Sequence, residues 1–73
     1  MTETLTPREC QVLGLVASGC SNREIGEKLG ITTGTAKSHV EKVIAKLSAA
    51  DRTQAAVRGI SLGLVNQTSE DWR

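Results

Sequence analysis

Chemistry in a short chain needs reactive side chains held close together, and the candidates here are few. They are Cys10, Cys20 and His39, plus a run of hydroxyl, ammonium and carboxylate groups between residues 33 and 52. The two thiols and the imidazole lack the paired spacing of zinc ligands. No Ser, Cys or acid is placed to form a nucleophile relay with His39. Cys10 and Cys20 have the composition for one bridge, but thiols with no wider cysteine framework stay reduced in a cytosolic chain. A chain of 73 residues also has little material to wall a substrate pocket of about 300 Å³. These observations exclude an enzyme, a metal centre and a bound cofactor, and they favour a binding surface.

The second group of residues suits such a surface. Net charge is only +1, but it is unevenly spread. Residues 32–58 hold Lys37, Lys42, Lys46, Arg52 and Arg58 against Glu41 and Asp51, giving +3, while the flanking segments 1–31 and 59–73 are each −1. A local positive segment in a small domain is the electrostatic footprint expected of a nucleic-acid partner. Thr33, Gly34, Lys37, Ser38, Glu41, Lys42 and Ala45 fall outside the apolar stripe of their segment, leaving small and polar groups on a face able to enter a groove.

Positioning that face requires helices, and their starts are written as a repeated grammar. Thr6-Pro7-Arg8-Glu9, Ser21-Asn22-Arg23-Glu24 and Asp51-Arg52-Thr53-Gln54 each place a capping side chain three residues ahead of Glu or Gln, with Pro7 at the favoured first position. Thr32 opens a further helix, with Thr35 where an acid would close the box. The pairs Leu5 with Cys10, Cys20 with Ile25, Ile31 with Ala36 and Ala50 with Ala55 fit hydrophobic staples, which gives both cysteines a structural role as small hydrophobes. Gly19, Gly30 and Gly63 stand where helix ends want a left-handed residue.

The spacing therefore predicts helices over 7–18, 22–29, 33–47 and 52–62, with apolar residues at helical intervals. The core is assembled from Leu, Ile, Val and Ala, since Trp72 is the one aromatic residue. The fold class is all-α, a four-helix domain over residues 1–65. Residues 66–73, NQTSEDWR, read as a polar C-terminal tail, with Trp72 an exposed end rather than a partner anchor. No apolar run approaches the roughly 20 residues of a membrane span, and MTETLT lacks the parts of a signal peptide. The expectation is a cytoplasmic protein that does not enter a membrane.

Only Gly30, Ile31 and Thr32 join the second helix to the third, and so short a turn containing Gly marks a helix-turn-helix pair. The first turn of the third helix carries no acid, which leaves its positive end open to a phosphate with help from the Thr33 or Thr35 hydroxyls. Lys37, Lys46 and Arg52 are the candidates for further phosphate contacts.

The ordered series LTPRE at 5–9, NREI at 22–25, LGIT at 29–32, TAKSH at 35–39, KL at 46–47, RTQA at 52–55 and GLV at 63–65 resembles the LuxR-type, or GerE-type, helix-turn-helix domain of bacterial transcription regulators. Gly26, Ala36 and Ala49 replace the Ala, Val and Val usual there, and each removes volume, which implies a less stable relative.

The resemblance implies sequence-specific binding to double-stranded DNA and transcription regulation. Helix 33–47 would lie in the major groove of a two-fold symmetric site, and the C-terminal helix would form a homodimer. It also implies that Lys37 reaches a base edge and that RNA polymerase is a partner. His39 is either a phosphate contact or a ring partly buried against the second helix. Glu41 either accepts from a cytosine amino group or holds a lysine as an i,i+4 partner. The DNA-binding set is then Thr33, Gly34, Thr35, Lys37, Ser38, His39, Glu41, Lys42, Lys46 and Arg52. The dimer set is Val57, Ile60, Ser61 and Leu64, an apolar stripe beside the core stripe. Such a domain serves as a stand-alone regulator or as the output domain of a larger one. The alternative is a helix-turn-helix adaptor that binds another regulator, and a sigma-factor-like promoter segment is a third reading.

Overall fold

A computed structural model of the chain describes residues 4–64. The tail 66–73, with Trp72, lies outside the described residues. Four helices follow in order: α1 (Pro7–Ala17), α2 (Asn22–Leu29), α3 (Thr33–Lys46) and α4 (Arg52–Ser61). Every start coincides with the position its cap predicts. Three of the ends fall one residue earlier than expected, because Ser18, Leu47 and Leu62 serve as the C-caps that close the final turn.

The caps explain the starts. Thr6 accepts from the Glu9 amide at 3.1 Å while the Glu9 carboxylate accepts from the Thr6 amide at 2.9 Å, and Ser21 with Glu24 repeats the exchange at 3.1 and 2.8 Å. The third box, at α4, is displaced: Asp51 caps the Gln54 amide at 2.8 Å, but the Gln54 side chain reaches past it to the amide of Ala50 at 2.6 Å. Ala50 is exposed, so the staple expected there does not form.

The buried cluster contains Leu5, Val12, Leu13, Val16, Ile25, Ala36, Val40, Val43, Leu47 and Ala55, with Cys10, Cys20, Leu29, Ile31 and Ile44 half-buried against it. Both cysteines are free thiols. α1 packs on α3 and α4, and α2 packs chiefly on α3. The α1–α4 contact is close, since a Cβ added at Gly59 would stand 2.7 Å from a Leu13 methyl. A glycine here lets the two helix backbones share the space of one side chain.

The α2–α3 turn sets the direction in which α3 leaves the body of the domain. Gly30 adopts φ +71°, and the Ile31 amide donates to the Gly26 carbonyl at 2.9 Å. The turn folds back so tightly that a Cβ at Gly26 would sit 2.8 Å from the Ile31 carbonyl oxygen. Gly26 is therefore more than lost core volume, because in this geometry it makes room for the turn. Ser48 ends α3 at φ +55°, a left-handed residue without glycine's freedom, and the Ala49 amide closes the turn on the Ile44 carbonyl at 3.0 Å.

Candidate nucleic-acid interface

α3 buries Ala36, Val40 and Val43, half-buries His39, Ile44 and Lys46, and exposes the rest. Thr33, Gly34, Thr35, Lys37, Ser38, Glu41, Lys42 and Ala45 are all exposed, so the face expected from the sequence is an open surface of the domain. His39 is half-buried. At 3.6 residues per turn, Gly34, Ser38, Glu41 and Ala45 fall at i, i+4, i+7 and i+11 and form one outward row. Lys37 and Lys42 flank this row, each turned about 70° to one side of it.

The first turn is built from hydroxyls. Thr32 Oγ1 accepts from the Thr35 amide at 3.0 Å and donates to Thr35 Oγ1 at 2.9 Å, and no acid stands in that turn. Because the Thr33 and Gly34 amides have no intrahelical acceptor, they add to the positive end of the helix dipole. Among the described residues, Lys37, Lys42 and Glu41 form no ion pair. Their charges are free to act outward.

Lys46 and Arg52 are placed differently from the other cations. The Lys46 ammonium donates to Glu9 Oε1 at 2.8 Å and to the Thr4 carbonyl at 3.5 Å. Glu9 is 5% exposed, so this pair ties the end of α3 to the start of α1 at the edge of the core. The Lys46 ammonium first, and the Thr6 amide second, hold the Glu9 carboxyl below its usual range. Arg52 uses both guanidinium branches, donating to Asn22 Oδ1 at 2.9 Å and to the Cys20 carbonyl at 2.6 Å. It fixes the start of α4 to the turn between α1 and α2. Both cations are engaged within the domain rather than projecting from it. For Lys46 a signal was present in the sequence: Glu9 stands three and four residues before Val12 and Leu13, on the apolar stripe, and a carboxylate there requires a partner. Nothing local in the sequence marks Arg52 as a clamp.

On α4, Val57, Ser61 and Leu64 are exposed and Ile60 is half-buried. Leu62, absent from the expected stripe, is 57% exposed beside Val57 at 56% and Leu64 at 40%. It was missed because helical spacing sets Leu62 five residues beyond Val57, about 140° round the helix and off that stripe. Among the described residues no group of His, Cys, Asp and Glu is placed to hold a metal, and no helix is long and apolar enough to cross a membrane.

The comparisons agree with this geometry. Residues 3–58 match the GerE family, described as bacterial regulatory proteins of the luxR family. The transcriptional regulatory protein LiaR of Bacillus subtilis (strain 168) is 50% identical over 64 residues, which cover 88% of this chain and 30% of LiaR. DegU of Brevibacillus brevis is 51% identical over 61 residues, covering 84% of this chain and 26% of DegU. The chain thus spans less than a third of the length of these relatives. A solved structure described as the transcription factor GerE superposes with a TM-score of 0.81 at 30% identity, covering 88% of this chain and 96% of the other. With its capped four-helix body, its short α2–α3 turn and this match, the chain belongs to the luxR family of bacterial regulatory proteins and carries that family's helix-turn-helix DNA-binding domain.

Proposed function

We propose that the domain regulates transcription in the cytoplasm by docking α3 in the major groove of a two-fold symmetric DNA site, as a dimer held through α4. The observation that carries this reading is the α3 face. Its small outward row lets the helix sit deep, and the exposed Lys37 and Lys42 lie on either side of it, one toward each wall of the groove. Thr33, Thr35 and the first-turn amides then meet a phosphate, and half-buried His39 offers its exposed edge beside them. Lys46 and Arg52 serve the fold, holding α3 and α4 in place. The domain acts by binding and does no chemistry, and RNA polymerase is the partner through which a bound regulator takes effect.

The test is binding to duplex DNA as a function of salt. Affinity falls steeply with rising salt, and Lys37→Ala or Lys42→Ala each flattens the slope by about one unit. Lys46→Ala leaves the slope unchanged and lowers thermal stability instead. Indifference to duplex DNA at low salt would overturn the reading and favour an adaptor that binds another regulator.

A further inference from the structure

We propose that Glu41 reads a cytosine, accepting a hydrogen bond from its N4 amino group in the major groove. The inference rests on the docking of α3 described above and assigns one base-reading residue within it.

Glu41 is the one long side chain in the outward row of α3, whose other members are Gly34, Ser38 and Ala45. Three small residues bring the helix axis close to the groove floor, and the fourth position is then the one able to span what gap remains. Its neighbours do not hold it elsewhere. Lys37 precedes it by four residues and Lys42 follows it directly, yet among the described residues the ion pairs are Arg23 with Glu27 and Lys46 with Glu9. Glu41 is also the only acid in α3. A carboxylate facing phosphates is repelled, so its place on the row nearest the DNA calls for a contact that offsets the repulsion.

Chemistry selects the base. An ionised carboxylate only accepts, which excludes the guanine edge, where N7 and O6 both accept, and the thymine edge, with O4 and a methyl group. Adenine offers an amino donor but sets the N7 lone pair beside it. Cytosine offers its N4 amino group with no adjacent acceptor on its own edge, so it is the base that a carboxylate fits.

The experiment starts from a duplex selected by the wild-type chain from random sequences, and from a panel in which each base pair is changed in turn. Binding of the wild type, Glu41→Ala and Glu41→Gln is measured across the panel, with circular dichroism to verify the fold of each. Glu41→Ala is expected to abolish discrimination at one C·G position, by roughly tenfold to a hundredfold, and leave the others intact. Glu41→Gln is expected to move the preference at that position toward adenine, which a glutamine amide pairs in bidentate fashion. If Glu41→Ala instead tightens every duplex by a similar factor, the carboxylate is only a repulsive charge and the assignment falls while groove docking stands. If the wild type selects no duplex at all, groove docking itself fails and the assignment fails with it.

Discussion

At the scale of single residues, Gly34 separates fold from function more cleanly than any lysine. Gly26 and Gly59 have no room for a Cβ, but at Gly34 the nearest atom to an added Cβ is Thr32 Oγ1 at 4.0 Å. The fold has no use for a glycine there, and an exposed helical glycine costs up to about 1 kcal/mol relative to alanine. The row to which Gly34 belongs faces outward, and in the proposed docking the missing side chain serves close approach to DNA. Gly34→Ala is therefore expected to raise stability by up to about 1 kcal/mol while weakening DNA binding. Thermal melts and binding isotherms on the same preparation check this, and the opposite signs are the point: unchanged affinity in a stabilised variant would show that nothing approaches Gly34.

At the scale of elements, the link from α1 to α3 through Glu9 and Lys46 is sensitive to acid. The folded carboxyl is held below its usual range by the Lys46 ammonium and then by the Thr6 amide. The stability it contributes is thus fully present above the unfolded value of about 4.3 and is lost as pH falls through the lower folded value. Glu9→Gln should cost about 2 kcal/mol at neutral pH, since it leaves Lys46 without its charge partner, and should flatten the decline of stability below about pH 4.3. Urea midpoints measured from pH 7 down to pH 3 check both effects. The elements themselves were legible in the sequence because their starts are local: Thr6, Ser21, Thr32 and Asp51 each settle a boundary within three residues. So was the outward face of α3, which follows from helical period alone. Glu9 on the apolar stripe called for a partner, but neither Lys46 nor Arg52 was identifiable as the clamp, because their partners lie 37 and 30 residues away and meet them only once the helices have packed. The left-handed Ser48 was hidden too, since no glycine marks that turn.

At the scale of the whole molecule, the proposed dimer rests on the exposed end of α4. Val57, Leu62 and Leu64 are exposed apolar side chains on and just after α4, enough for only a small interface, so association without DNA is expected to be weak. On a two-half site the DNA supplies a high effective concentration. Val57→Asp is accordingly expected to weaken a paired site about tenfold or more while leaving a half-site nearly unchanged. Equal loss on both would remove the α4 contact between copies. The packing of α1 on α4 has a different consequence, for the order in which this domain comes into being. Chains are made from the N-terminus at about 5–20 residues per second, so α2, the turn and α3 are translated before the helix that Leu13 packs against at Gly59. Until then α1 has no partner for one side, and Lys46, at the end of α3, is among the last groups to reach Glu9. A nascent chain stopped near residue 50 holds the whole outward face of α3 as sequence but lacks the α1–α4 contact that completes the core. If α3 docks on DNA as proposed, half-made copies are expected not to compete for that site.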